Sequence, residues 1–214
     1  RRVGLLPGWI RKPPPPDSYT PKPLVPSRPN GGEPAARSPL ASAGADLFKR
    51  GLLVHRLLQG LPELPVAERD VAARRFLALP EHGLDADEQA EIRHATLGVL
   101  NHPDFAALFG PGSHAEVPLV GLVPTSAGAS LAVSGQIDRL VVTQECVLIV
   151  DYKTLRSPPA AEEEVAPTYL RQLAVYRAAL AQFYPGREIR CALLWTEGPR
   201  LMPISSDALA GYQP

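Results

Sequence analysis

Apolar residues recur at helical spacing from residue 45 onward. In "DLFKRGLLVHRLLQGLPEL" they repeat close to every 3.6 residues, and Pro62 marks the exit of the segment. Two further segments of this kind follow, "VAERDVAARRFLAL", which ends at Pro80 and Gly83, and "DADEQAEIRHATLGVL", which begins at Asp85. The pattern predicts three leading helices.

The spacing of apolar positions then changes to two, which is typical of strands. "AEVPLVGLV", "LAVSGQIDRLVV" and "CVLIVDYKT" predict three strands, and the short turn "TQE" joins the last two. A long helix is predicted over "PTYLRQLAVYRAALAQFY" and ends at "PGRE", after which "IRCALLWT" and "PRLMPIS" return to strand character. Helices followed by a strand meander, a helix and two more strands predict an α/β domain.

The beginning of the chain has a different composition. Eleven of the 25 prolines lie in the first 40 residues, and such a segment favours extended polyproline conformations that build no core. We therefore assign residues 1–44 to a Pro-rich linker or arm, which we expect to lie apart from the core, and residues 45–214 to one domain. The excess of basic residues in the arm fits either a solvated tether or a segment that lies on an acidic surface or on DNA.

Composition excludes several classes of protein. The 22 basic and 22 acidic residues balance, so the chain carries no overall positive charge that would indicate nucleic-acid binding. Two cysteines, Cys146 and Cys191, are too few for a four-cysteine zinc site or iron–sulfur cluster. The sequence shows no apolar run of membrane-spanning length and no GxxxxGK[ST] loop, so we expect a cytoplasmic protein without nucleotide hydrolysis in these residues.

Charged residues interrupt two strands that otherwise read as buried. Asp151 and Lys153 lie two residues apart, so their side chains leave the same face of the strand, and Asp138 on the preceding strand of the hairpin can lie beside Asp151. Converging carboxylates repel each other unless a cation lies between them, which points to Mg²⁺ and to metal-assisted phosphodiester hydrolysis. The alternative is an exposed Asp–Lys pair without function.

The context of these residues resembles a known superfamily. Gln172 and Tyr176 lie at i and i+4 on the next helix and share one of its faces. The order "GQID", "DYK" and "QLAVY" on strand, strand and helix resembles the RecB-like branch of the PD-(D/E)xK nucleases. This resemblance implies a restriction-endonuclease-like fold, in which helices flank a central mixed sheet, preceded here by the N-terminal helices and the Pro-rich arm.

The same resemblance implies roles for further residues. That branch carries a histidine on an early helix, which matches His55 in "RGLLVHRLL". "AEVPLVG" resembles the strand before the acidic pair, where Glu116 either approaches the site or is a structural or outer-shell carboxylate. The family implies that His55, Asp138, Asp151 and the backbone carbonyl of Tyr152 hold Mg²⁺, with Mn²⁺ as the other candidate ion. It assigns nucleophile positioning and charge stabilisation to Lys153, and support of the strand or of the ligands to Gln172 and Tyr176.

Over residues 46 to 204 the chain most resembles the C-terminal nuclease domain of the AddA family of helicase-nucleases. That family implies a cytoplasmic bacterial complex that resects DNA double-strand-break ends, with an AddB-like subunit and a helicase portion of the same chain as partners and an unwound DNA strand as substrate. The cysteine count separates this chain from relatives that carry an iron–sulfur cluster. Two alternatives remain: a stand-alone nuclease of the same superfamily, and a nuclease fold that guides DNA without cutting it.

Overall fold

Within the part of the chain that the structure describes, five α-helices and five strands form one α/β unit. The computed structural model describes residues 23–26, 42–125, 128–155 and 157–212. The helices are α1 (Ser42–Gly60), α2 (Val66–Leu77), α3 (Ala86–Leu100), α4 (Pro167–Phe183) and α5 (Ser206–Ala210). The strands are β1 (Ser113–Pro124), β2 (Ser130–Val142), β3 (Cys146–Lys153), β4 (Glu188–Trp195) and β5 (Arg200–Ile204).

The strands form a single mixed sheet in the order β1-β2-β3-β4-β5. All neighbouring strands are antiparallel except β3 and β4, which are parallel because α4 connects them as a crossover. The predicted fold class, a central mixed sheet flanked by helices, is thereby confirmed. Each predicted helix and strand is present within a few residues of its predicted bounds, and the short helix α5 is an addition that the sequence pattern did not indicate.

The two faces of the sheet are covered by different helices. α4 and α5 pack on one face, where Ile149, Leu173 and Leu193 are fully buried. α1, α2 and α3 pack on the other face, where Leu58 and Val150 are fully buried. Successive residues of β3 therefore point alternately to the two helical layers, which explains its nearly continuous apolar sequence.

Local signals set the ends of the helices. Asp85 caps α3 through a reciprocal capping box, in which its carboxylate accepts from the Glu88 N–H and the Glu88 side chain accepts from the Asp85 N–H. Pro62 lies in a short 3-10 turn directly after α1, as the exit signal in the sequence predicts. Within the parts of the chain that the structure describes, no helix combines the length and apolarity required to cross a membrane.

A short piece of the Pro-rich arm lies on the sheet. Leu24 forms a parallel bridge with Val133 of β2, its N–H donating to the Ala132 carbonyl at 2.7 Å and its carbonyl accepting from the Ser134 N–H at 2.9 Å. Pro26 is buried. For residues 23–26 this contact differs from the expectation that the arm lies apart from the core, while the rest of 1–41 is outside the described residues.

Candidate active site

A cavity of about 510 Å³ opens beside the point where β2 and β3 stop pairing. Only Arg139–Val142 of β2 pair with Val147–Val150 of β3. On the N-terminal side of Arg139, β2 separates from β3. The side chains of β2 and β3 at this separation line the cavity together with residues of α1 and α4 and with Pro26 of the arm. The lining residues are Pro26, His55, Glu116, Gln136, Asp138, Asp151, Tyr152, Lys153, Thr168, Tyr169 and Gln172.

Asp138 directly precedes Arg139, the residue at which the pairing of β2 with β3 begins. Its Oδ2 atom accepts from the backbone N–H of Tyr152 at 2.7 Å, so a side chain replaces a backbone acceptor where the ladder ends. Its Oδ1 atom lies 3.4 Å from Nδ1 of His55. These two contacts fix the carboxylate between β3 and α1.

Glu116 reaches the same place through an unusual backbone conformation. Its φ is +51°, the left-handed region that a residue with a side chain rarely adopts. β1 and β2 pair on both sides of it, from Ala115 with Arg139 to Val117 with Ile137, but Glu116 itself makes no pair. Burial and the nearby charge of Asp138 raise the pKa of Glu116. Strain of this kind is typical of functional sites.

His55 lies on α1 and faces both carboxylates. Burial alone would lower its pKa, but the hydrogen bond with Asp138 and the negative charges of Asp138, Asp151 and Glu116 raise it overall. The ring of Tyr152 meets the imidazole edge-on, with centroids 5.4 Å apart. The imidazole is thus held in place by an aromatic contact and by its negative surroundings.

Asp151 and Lys153 form a buried ion pair on the α4 side of β3. Asp151 is 3 % exposed, and Nζ of Lys153 lies 2.5 Å from its Oδ2 atom. Burial raises the pKa of Asp151; burial would lower that of Lys153, but the adjacent carboxylate raises it overall, so the lysine stays cationic. Gln172 donates from Nε2 to Oδ1 of Asp151 at 2.7 Å and accepts from Lys153 at 3.4 Å.

Tyr169 is a contact of Lys153 that the sequence analysis missed. Its ring lies under the ammonium group, with Nζ 4.1 Å from the centroid. Tyr169 precedes Gln172 by three residues on α4, so the helical spacing could have placed both side chains on the face of α4 that points to the cavity. Lys153 is therefore held by a carboxylate, an amide oxygen and an aromatic face.

Tyr176 lies deeper than the sequence prediction implied. It is 1 % exposed and does not line the cavity. Its hydroxyl donates to the Gln136 carbonyl at 2.9 Å and accepts from the Gln136 N–H at 3.3 Å. Gly135 explains the close approach, because a Cβ atom there would lie 2.8 Å from the Tyr176 ring. Tyr176 therefore holds the part of β2 that β3 does not pair with, while Gln172 alone of the two contacts a carboxylate of the cavity.

The side chains at the cavity fit a divalent cation. One ligand atom each of His55, Glu116 and Asp138 can be chosen so that all three lie within 4.8 Å of one another. Two carboxylates and an imidazole suit Mn²⁺, and the carboxylates suit Mg²⁺, which prefers oxygen ligands. The sequence left the role of Glu116 open, whereas the geometry brings it into this group. Asp151, by contrast, contacts Lys153 and Gln172.

Comparison with known proteins shows which family the chain belongs to. A search of curated proteins gives no significant match. Among solved structures, "Crystal structure of SSO0001" is 14 % identical, with a TM-score of 0.34 over 75 % of this chain and 77 % of that one, a likeness too distant to carry an argument. The family model of the PD-(D/E)XK nuclease superfamily matches residues 34–202, which include every residue of the ion pair and of the proposed metal site. The chain belongs to the PD-(D/E)XK nuclease superfamily.

Proposed function

We propose that this chain is a metal-dependent deoxyribonuclease that hydrolyses phosphodiester bonds in the cavity between α1, β2 and β3. The observation that carries the proposal is the cluster of His55, Glu116 and Asp138, whose ligand atoms lie within 4.8 Å of one another beside the Asp151–Lys153 pair. PD-(D/E)XK nucleases use divalent metals, and a nuclease fold implies a DNA substrate. The positions of the charged side chains support the same chemistry.

The residues that would hold the ion are His55, Glu116 and Asp138, and the Asp151 carboxylate and the Tyr152 carbonyl remain ligands proposed from the sequence. A divalent cation supplies Lewis acidity and lowers the pKa of a bound water. Asp138 is positioned for this role by the Tyr152 N–H, which holds one of its oxygens at 2.7 Å. Mg²⁺ is the ion we propose, and Mn²⁺ is the alternative that the imidazole favours.

Lys153 would act on the phosphate and on the attacking water. Its ammonium stays protonated beside Asp151, and the ring of Tyr169 restricts its position. A fixed cation in a largely buried site stabilises negative charge that develops on a phosphate more strongly than one exposed to water. Gln172 orients both members of the pair, because its amide donates to Asp151 and accepts from Lys153.

At a finer level we propose that the chain is the nuclease domain of an AddA-type helicase-nuclease. The order of the motifs on α1, β2, β3 and α4 and the Pro-rich leading segment support this assignment. In that setting the domain, residues 45–214, cuts an unwound strand during resection of double-strand breaks, in the bacterial cytoplasm. A helicase portion of the parent chain, which residues 1–44 would join to the domain, and an AddB-like subunit would be its partners.

Digestion of single-stranded DNA by the purified chain tests the proposal. We expect cleavage in Mg²⁺ or Mn²⁺, none in chelator, and a loss of at least 100-fold in the Asp138→Asn and Asp151→Ala variants. Asp104→Asn is the matched control, because Asp104 is a carboxylate that is 83 % exposed and does not line the cavity. Cleavage that persists in chelator, or in Asp138→Asn, would contradict the proposal.

A further inference from the structure

α1 presents an apolar surface that its packing does not use. Its buried side is formed by Leu53, Val54, Leu57 and Leu58. On another side Phe48 is 72 % exposed and Leu52 is 50 % exposed. A large aromatic side chain left this open on a helix that already buries a full apolar face is not explained by the fold.

This surface continues into the proposed metal site. Phe48, Leu52, His55 and Gln59 follow one another at i, i+4, i+7 and i+11, so they form one stripe along α1. A groove of about 600 Å³ runs beside the stripe and shares three lining residues, His55, Glu116 and Gln136, with the cavity described above. Phe48 and the metal-ligand candidate His55 therefore line the same groove, about two helical turns apart along α1.

The spacing along α1 matches a nucleic-acid strand. Seven residues at a rise of about 1.5 Å place Phe48 roughly 10 Å from His55 along α1, a distance that a few nucleotides of an unpaired strand can span. A strand whose phosphate lies at Asp138 would thus carry a base to the ring of Phe48. Arg56 and Gln59 line the same groove at and beyond His55, where they offer donors to phosphates further along the strand.

We propose that Phe48 and Leu52 form a base-stacking subsite for an unpaired DNA strand, a few nucleotides from the phosphodiester that is cut. The subsite rests on the proposed nuclease function and adds substrate-binding residues to it. An exposed ring stacks on any base because every base has an aromatic face, while arginine and amide donors follow the backbone. Bases paired within a duplex do not present their faces, so the subsite selects unpaired strands.

Equilibrium binding of short oligonucleotides to the 214-residue chain tests the subsite. A 12-nucleotide oligo(dT) would be compared with versions in which one nucleotide at a time is abasic, with Ca²⁺ in place of Mg²⁺ and fluorescence anisotropy as the readout. We expect one abasic position to weaken binding to the unmodified chain about tenfold, as typical for a base stacked on an aromatic ring. Phe48→Ala should weaken binding of the intact oligonucleotide by the same factor and remove the effect of that abasic position.

Phe183→Ala is the matched control, because Phe183 is 59 % exposed at the end of α4 and lines neither cavity; we expect it to bind as the unmodified chain does. The inference is overturned if Phe48→Ala binds the intact oligonucleotide normally, if it keeps the full abasic effect, or if the unmodified chain does not bind. It is also overturned if Phe48→Ala changes only the sedimentation of the chain, since the surface would then contact protein.

The test separates this inference from the proposed function. Cleavage of the intact oligonucleotide in Mg²⁺ is measured on the same proteins. If binding depends on Phe48 and on one abasic position but the chain cuts no DNA, the subsite is supported and the nuclease proposal is wrong. If the chain cuts DNA but Phe48 contributes nothing to binding, the nuclease proposal is supported and the subsite is wrong.

Discussion

At the scale of single residues, the Asp151–Lys153 pair is difficult to explain by stability. Both side chains lie in a strand whose other residues are apolar, and both are largely removed from water. Taking two charges out of water costs several kcal/mol each, and such pairs can often be replaced by apolar residues without loss of stability. A buried pair at the wall of the cavity is therefore better explained by what the ammonium group does there than by what it adds to folding.

This view gives a prediction for Lys153. Replacing it with methionine leaves the Asp151 carboxylate buried without its cation, which should lower the free energy of unfolding by about 3 kcal/mol. Adding Asp151→Asn removes the unpaired charge and should restore much of that stability. Urea unfolding in chelator measures both variants, and cleavage should be absent from both.

The two measurements together separate the roles of the pair. If the Lys153→Met variant were as stable as the unmodified chain, the pair would not be as buried as described. If the double variant cut DNA, neither residue would take part in the reaction.

At the scale of elements, the position of α1 decides where His55 lies. Arg139 on β2 is 2 % exposed and connects the sheet to α1. It donates from Nη2 to the Leu58 carbonyl at 2.5 Å and from Nε to the Tyr152 hydroxyl at 3.0 Å, and its guanidinium lies over the ring of Phe109. Arg139 follows Asp138 directly, so one stretch of β2 supplies both a ligand candidate and the contact that holds α1 beside it.

Arg139→Met should therefore affect both stability and metal binding. The change leaves a buried carbonyl and a buried hydroxyl without their donor, which should cost about 3 kcal/mol of unfolding free energy. Because α1 is then held less firmly against β2, we expect the Kd for Mn²⁺, measured by calorimetry, to rise about tenfold.

Arg93→Met is the control for this change. Arg93 pairs with Asp70 on α2 from its place on α3 and is 30 % exposed, so its loss should cost little and leave metal affinity unchanged. An Arg139→Met chain that binds Mn²⁺ normally would show that α1 keeps its position without this contact.

The elements also show how far the sequence could predict the site. Alternation along β3 was sufficient to place Asp151 and Lys153 on one face, because that property is local. The contribution of Glu116 could not be read in this way, since it depends on a left-handed backbone at φ +51° that only the pairing around it maintains. The burial of Tyr176 likewise depends on Gly135, which lies 41 residues earlier in the chain.

At the scale of the whole molecule, residues 23–26 of the arm cover part of one edge of β2. β3 pairs only with Arg139–Val142 of β2. The part of β2 near Val133 therefore pairs with β1 on one side, and within the described residues its other edge has no neighbouring strand of the sheet. Leu24 occupies the other side with two backbone hydrogen bonds, and Pro26 forms part of the cavity wall. Residues 23–26, which the sequence assigned to a linker, thus cover a free strand edge, which would otherwise be a site for self-association.

Two truncations test whether residues 23–26 belong to the domain. A chain that begins at Pro23 should unfold like the full chain, whereas a chain that begins at Ser42 should lose about 2 kcal/mol, about 1 for each backbone hydrogen bond of Leu24. The shorter chain should also self-associate through the uncovered edge of β2, which sedimentation measures. Leu24→Pro removes the N–H that donates to Ala132 and should reproduce part of the loss. Equal stability of the two truncated chains would instead show that residues 23–41 lie outside the domain, as the predicted linker requires.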